Sequence, residues 1–596
     1  MTDPDPPVAS SPGGVPGADD RRWRRRGAVA VVFAAALVVM LRPDPQAMHR
    51  TLPNLGDPAF ITWVTEWGRR ALWHRPGPVF DAPIYWPARL TLAYSENLLA
   101  ALPFTGVLRG LGAGWALTYN LLVVACLAGS LAATYTLARH VVGRTVPAVL
   151  AALGFTFSGY TLTHLGHAQL LAIGGFALGL WAVLRMLEER RWWQAVLAGS
   201  VLPCFTYFAL YYAAAWVVVL PAVVVADVVA RRFRPGPRFW PLVAVVVAVS
   251  AVGAAPGALA YRQLQREVDF ERELVPQWGL DAVDLVTPAP GSYVWRPLDR
   301  AFASRPERWE HTFFPGFVIL GFAAAGAATL VRPGPRRRLL GVVVAGVVSG
   351  ALALGPEVRG IRFTPFRLLH DHAPGFNGIR VAARLAVPGL LALCVLAAAG
   401  LAALGDRLRA PWRSVLGVGA GVLLLAELAA PIPRTVLPTG SEQLAVYRVL
   451  ARRPAGVVVE LPMPDPADGT RWAVLEAPRL LYATIDWHPR LNGYSGSWPP
   501  GYRDDVAVLA RLPAAAALAR LRERCVRYVV LHVGPFAGQA QFDEAQASRI
   551  ARGLEGAGAT VRRIGPDRLA DFGPAPPRCR ADARPRSPAA GRLGGS

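Results

Sequence analysis

Apolar residues in this chain fall into long runs separated by short arginine-bearing stretches or by longer polar ones. The runs lie near 27–41, 114–138, 145–163, 167–187, 194–208, 211–230, 239–259, 313–331, 339–355, 385–404 and 414–432. Each approaches the roughly 20 residues with which an α-helix crosses a bilayer core. The pattern predicts about eleven transmembrane helices, some tilted or broken. The polar stretches 42–113, 260–312 and 356–384 are far longer than turns between packed helices need to be. After 432 the period changes. Strand-like runs at 456–461 and 528–533 alternate with helical ones at 504–512 and 514–524, as in a small α/β domain. The expected fold class is therefore an all-α polytopic membrane bundle, with interfacial helices in its external loops and a C-terminal extracytoplasmic α/β domain. Its expected boundaries are a disordered cytoplasmic tail at 1–26, a membrane domain at 27–432, the α/β domain at 433–571 and a disordered Pro/Arg/Gly-rich tail at 572–596.

Composition agrees with membrane insertion. The chain is 53% hydrophobic and 17% charged, against about a quarter charged in soluble domains. The formal charge of +23 comes from arginine alone, since the sequence contains no lysine. These arginines gather at the ends of apolar runs rather than in a basic domain with interleaved aromatics, so they mark topology and exclude a nucleic-acid partner. Five arginines at 21–26 precede the first run and hold the N-terminus in the cytoplasm. The loops 139–144, 188–191, 231–238, 332–338 and 407–413 each carry at least two more, whereas the hairpins near 165 and 208–210 carry none. The first run lacks a small-residue cleavage site and reads as a retained span. Cys126, Cys204 and Cys394 lie inside apolar runs; Cys525 and Cys579 fall in the C-terminal region and could pair in an oxidising compartment.

Candidate chemistry concentrates in the long external segments. Asp57 opens an aromatic-rich amphipathic stretch with Trp63 and Trp67, suited to a helix at headgroup level. Glu96 follows in Tyr94-Ser95-Glu96-Asn97. Both carboxylates neighbour apolar segments, where burial raises a carboxyl pKa. His164 and His167 flank an external turn, and Glu310-His311 stands at the mouth of the run at 313–331. Arg359, Arg362, Arg367, Arg380 and Arg384 crowd the external segment 356–384, against the topological trend. Arginines placed there fit bidentate recognition of phosphate, with Arg380 and Arg384 best positioned. The segment Asn492-Gly493-Tyr494-Ser495-Gly496-Ser497-Trp498-Pro499-Pro500 has the turn chemistry of an ordered loop, either packed on the membrane domain or stacking its aromatics on a sugar. No nucleotide-binding glycine motif is present, which argues against a nucleotide-sugar donor or an ATP-driven pump.

Several motifs together carry a resemblance: Gly56-Asp57-Pro58 before a Trp-rich helix, Leu165-Gly166-His167-Ala168-Gln169, Pro374-Gly375-Phe376, Arg380-Val381-Ala382-Ala383-Arg384, Glu460-Leu461-Pro462 and Asn492-Gly493-Tyr494-Ser495-Gly496. With the long first external loop and the external C-terminal domain, they make the chain resemble the C-type (GT-C) membrane glycosyltransferase superfamily, and within it a bacterial group. The resemblance implies an enzyme of the bacterial plasma membrane that moves a sugar from a polyprenyl-phosphate donor to an envelope glycan, lipid or protein acceptor on the external face. It implies Asp57 as general base, with Glu96 as a second acid. Arg367, Arg380, Arg384, His167, Glu310 and His311 would line the substrate site. Many superfamily members carry adjacent acids in this loop; here Pro58 follows Asp57. No metal ligand set is assigned, and a divalent cation would need Glu96 or Glu310 to complete a site with Asp57.

The competing readings are a transporter or lipid-carrier flippase and a non-catalytic envelope-assembly scaffold. A transporter should place ionisable groups in mid-span and broken helices in matching halves. The runs here are nearly free of such groups, with Asp227 close to a cytoplasmic end. A scaffold would tolerate loss of Asp57.

Overall fold

A computed structural model describes residues 18–74, 77–230, 236–268, 278–331 and 336–574 of the chain. The two terminal tails lie largely outside these residues, as does Cys579 and with it the expected pairing with Cys525.

Helices stand at every one of the predicted apolar runs: α1 (Ala18–Leu41), then, after α2 (Asp57–His74), α3 (Trp115–Val142), α4 (Thr145–Thr156), α5 (Gly174–Glu189), α6 (Trp192–Thr206), α7 (Leu210–Ala230), α8 (Phe239–Glu267), α9 (Phe317–Ala327), α10 (Arg336–Ala353), α11 (Val387–Gly405) and α12 (Ala410–Leu428). Among the described residues seven helices, counting the short turns that extend α4, α5 and α11, are long and apolar enough to cross a membrane; α1, α6, α9 and α10 are not among them. The first helix begins at Ala18, so the run of arginines expected in a tail is helical instead. Arginine is a good helix former, and nothing in 18–26 breaks the backbone pattern.

Small residues set the closest helix contacts. A Cβ on Gly326 of α9 would lie 1.9 Å from the Leu396 carbonyl oxygen, and one on Gly400 of α11 2.0 Å from that of Phe322. The two backbones touch there, as small residues allow between membrane helices. At the start of α9 the Val318 N–H donates to the buried Glu427 carboxylate of α12 (3.0 Å), which satisfies an amide the helix itself leaves unpaired.

The C-terminal domain holds a four-stranded sheet in the order β3 (Val457–Leu461), β4 (Val526–Leu531), β6 (Asp567–Asp571), β5 (Thr560–Ile564). Strand β3 runs parallel to β4, and the other pairings are antiparallel. Helix α13 (Gly469–Tyr482) leads from the sheet to the membrane domain and packs on α2. A second, two-stranded ladder pairs β1 (Thr51–Leu52) with β2 (Thr435–Val436), which ties the first long loop to the linker leaving α12.

The Trp-rich helix departs from the expected interfacial position. Residues from Pro58 to Glu66 of α2 are buried, Trp63 at 1% exposure, and the outer end alone is open, with Trp73 at 85%. The helix lies between α13 on one side and the segment Leu102–Gly110 on the other. Phe60 and Trp63 are therefore core residues of a joint between the two domains.

Candidate active site

The turn before α2 places Asp57. Asn54 Oδ1 accepts from the Gly56 N–H (3.0 Å), and the Gly56 carbonyl accepts from Ala59 and Phe60, so the helix starts at Asp57 with Pro58 in its first turn. The carboxylate therefore sits at the positive end of the α2 dipole. The loop after α4 comes close at Gly166, where a Cβ would stand 2.7 Å from Asn54 Nδ2. That approach brings in His167, whose Nε2 lies 2.6 Å from Asp57 Oδ2. From the C-terminal domain the Tyr494 hydroxyl donates to Asp57 Oδ1 (2.7 Å). Burial alone would raise the Asp57 pKa, as the sequence reading expects. The charge and hydrogen bond of His167, the Tyr494 hydroxyl and the Arg384 charge outweigh it and hold the carboxyl below its ordinary value.

A second group stands behind this one. Glu310 is fully buried and takes a two-pronged contact from Arg384, one arm at 3.0 Å and the other shorter. His164 Nε2 lies 3.2 Å from the same carboxylate, and its Nδ1 lies 2.7 Å from the Tyr160 carbonyl. Burial pushes the Glu310 pKa up, but Arg384 and His164 bring it well below the carboxylate range. The Arg384 guanidinium lies 4.8 Å from the Tyr211 ring centre. Trp309 stacks on His167 at 5.6 Å with rings nearly parallel and also lies 6.1 Å from the His164 ring, which Glu310 holds through Nε2.

Beside these residues opens a cavity of about 1190 Å³ between the membrane bundle and the C-terminal domain, and Glu310 and His164 are not among the residues that line it. Asp57, Glu96, His167, Arg380 and Arg384 line it, along with Arg262. One end is apolar, walled by α6, α7 and α8 through residues such as Leu202, Leu210, Val217 and Ala254. Glu96 accepts from the Ser95 hydroxyl at 3.2 Å. Arg380 is exposed, 5.7 Å from the Trp278 ring centre, and no carboxylate pairs with it among the described residues. Arg367 and His311 stand elsewhere. Arg367 is 3.5 Å from Asp371 on its own short helix, and His311 faces Asp284 (3.1 Å), which also takes Arg305 (2.7 Å). Among the described residues no group of three or more His, Cys, Asp or Glu side chains is placed to hold a metal ion. Of the carboxylates that would complete a cation site with Asp57, Glu310 is taken by Arg384 and His164, and Glu96 by the Ser95 hydroxyl.

From the sequence, His164 stood out at its external turn and Tyr494 in the ordered cap loop, but neither was set against a partner, and Trp309 and Tyr211 were not among the candidates. Trp309 sits beside Glu310, and that proximity is its one signal in the sequence. Nothing local ties Tyr494 to Asp57.

The bundle, its long first loop and the α/β cap together have the fold of the C-type glycosyltransferases. Among solved structures, the arabinofuranosyltransferase AftD from Mycobacteria is similar over 93% of this chain, with a TM-score of 0.58 at 15% identity. This chain spans 40% of that protein's length. Weaker likenesses, with TM-scores below 0.5, join it to the oligosaccharyltransferase AglB from Archaeoglobus fulgidus (0.48, 12% identity, 86% of this chain and 69% of that one) and to ArnT from Cupriavidus metallidurans (0.47, 13% identity, 92% and 98%). No protein-family model and no curated protein matches the chain.

Proposed function

We propose that the protein is a membrane glycosyltransferase that moves a sugar from a polyprenyl-phosphate carrier to an envelope acceptor on the outer face of the bacterial plasma membrane. The observation that carries this reading is Asp57, ionised and held by His167 and Tyr494 at the edge of a cavity whose other end is apolar. The acceptor hydroxyl attacks the anomeric carbon and gives its proton to Asp57. The bond from that carbon to the phosphate oxygen breaks, and the polyprenyl phosphate leaves. A positioned base of this kind contributes about 10²–10⁴-fold. Charge on the leaving phosphate is met by Arg380, and by Arg384 at the price of sharing it with Glu310; both line the cavity. The apolar end between α6, α7 and α8 takes the first isoprene units. Two of the carboxylate's acceptor positions are filled by His167 and Tyr494, and Asp57 remains 29% exposed, which leaves room for the incoming hydroxyl. His167 meets Asp57 through Nε2, while its Nδ1 is buried without a hydrogen-bond partner, so the imidazole serves to orient the carboxylate. The reaction is tested with purified protein in liposomes, offered a panel of polyprenyl-phosphate sugars and crude envelope acceptors: labelled sugar on the acceptor supports the reading, and no transfer from any donor counts against it.

A further inference from the structure

The cavity has two chemically different sides. Its arginines, Arg262, Arg380 and Arg384, all belong to the membrane domain, and its carboxylates, Asp57 and Glu96, to the first long loop. The C-terminal domain contributes a third wall, formed by the start of α13 and by residues 494–498, and no charged side chain of that domain lines the cavity among the described residues. The wall consists of aromatic faces and hydroxyls. Trp472 and Trp498 meet edge to face at 5.5 Å, Tyr494 lies 4.7 Å from Trp472, and Trp498 is half-buried. Between them Ser495 is buried, at 5% exposure, and its hydroxyl has no hydrogen-bond partner. Gln169 Oε1 also lines the cavity and is likewise buried without a partner.

A buried hydroxyl without a partner is costly unless a ligand supplies one. The loop that carries it is rigidly held: the Ser497 hydroxyl donates to the Tyr94 carbonyl (3.2 Å), the Trp472 indole N–H to the Gly493 carbonyl (3.0 Å), and a Cβ on Gly493 would lie 2.3 Å from the Tyr85 ring. Ser495, which lines the cavity, is therefore held in place rather than free to turn to solvent. An anionic acceptor would find no cation on this wall. A sugar ring presents an apolar C–H face to an aromatic side chain and hydroxyls around its rim, which is the complement of Trp498 beside Ser495.

We propose that this wall is a subsite for an uncharged carbohydrate, the acceptor of the reaction proposed above; the assignment of it as acceptor rests on that reading, whereas the binding does not. The acceptor glycan lies against Trp498, gives and takes hydrogen bonds at Ser495 and Gln169, and presents its terminal hydroxyl to Asp57, which Tyr494 of the same loop holds.

Full-length protein in lipid nanodiscs is probed by saturation-transfer NMR with linear hexasaccharides of mannose, glucose and arabinofuranose, with hexagalacturonate as the anionic comparison. Saturation should reach the ring protons of a neutral hexasaccharide, fall about fivefold or more in both Ser495→Ala and Trp498→Ala, and persist in Asp57→Asn. Thermal unfolding checks that each variant is folded, and Trp498→Phe, which keeps an aromatic face, should retain most of the signal. No saturation of any neutral hexasaccharide, equal signals in Ser495→Ala and wild type, or preference for hexagalacturonate would overturn the proposal. The two readings fail differently. Transfer by wild type with unchanged acceptor KM in both Ser495→Ala and Trp498→Ala would remove the subsite and leave Asp57 as base. Neutral-sugar binding without turnover from any polyprenyl-phosphate donor would remove the reaction and leave the subsite.

Discussion

The Tyr494 hydroxyl donates to Asp57 Oδ1 at 2.7 Å across 437 residues of sequence, joining the C-terminal domain to the loop that bears the proposed base. The cap is thus part of the site. Removing that hydrogen bond in Tyr494→Phe should raise the Asp57 pKa, because an ionised carboxylate loses a donor. Transfer requires the ionised form, so the acidic limb of the kcat/KM profile should move to higher pH, with activity above that limb reduced about tenfold or less. A pH–rate profile unchanged from wild type would show that Tyr494 does not act on the base.

Breaking the Arg384–Glu310 pair should cost more than removing it. Arg384→Ala leaves a buried carboxylate with His164 alone, and a loss of about 3–5 kcal/mol is expected. The double change Arg384→Met with Glu310→Leu should recover much of that stability while leaving transfer impaired. Detergent-titrated unfolding of the single and double variants measures the difference.

Gly493→Ala tests the fit of the cap loop against the first long loop. The new methyl would meet the Tyr85 ring at 2.3–2.5 Å, and Tyr85 is fully buried. Overpacking of this kind costs about 1–3 kcal/mol. Trimming the opposing ring in Gly493→Ala/Tyr85→Leu should show a favourable coupling of about 0.5–3 kcal/mol relative to the sum of the single changes.

The cap also carries a buried carboxylate whose titration should be visible in stability. Burial, with Glu460 adding to it, pushes Glu476 up to about 7, although Arg479 (2.8 Å) and Asn492 (3.2 Å) hold one of its oxygens. A carboxyl raised from 4.5 in this way is protonated in the folded state while the unfolded chain has already released its proton. Stability is then fully present below about 4.5 and falls as pH rises to about 7, by about 3 kcal/mol at most. Glu476→Gln should flatten the melting temperature over that window. An equal slope in wild type and variant would place the titration elsewhere.

Apolar runs bounded by arginines made the bundle legible, because burying a helix in lipid dictates both its length and its ends. Asp57, His167, Arg380 and Arg384 stood out since charged or imidazole side chains beside such runs are expensive and conspicuous. The pairings were not legible. Glu310 and Arg384 lie 74 residues apart, and their contact depends on how the helices pack. Arg367 and His311 carry the same chemistry as their neighbours, yet one turns to Asp371 and the other to Asp284. Trp63 read as an interfacial anchor, since the sequence does not reveal that a C-terminal helix covers it. The same blind spot hid the contact of Tyr494, and the expected rise in the Asp57 pKa failed for that reason: burial was foreseeable from the neighbouring apolar residues, and the convergence of His167, Tyr494 and Arg384 that outweighs it was not.

The most direct test of the account is sugar transfer from polyprenyl-phosphate donors by wild type and Asp57→Asn, side by side in liposomes, with matched thermal unfolding. The substitution keeps the acceptor for Tyr494 and removes the base. The account predicts transfer by wild type and a loss of about a hundredfold or more in the variant. Equal transfer by the two folded proteins would contradict it and take Asp57 out of the mechanism.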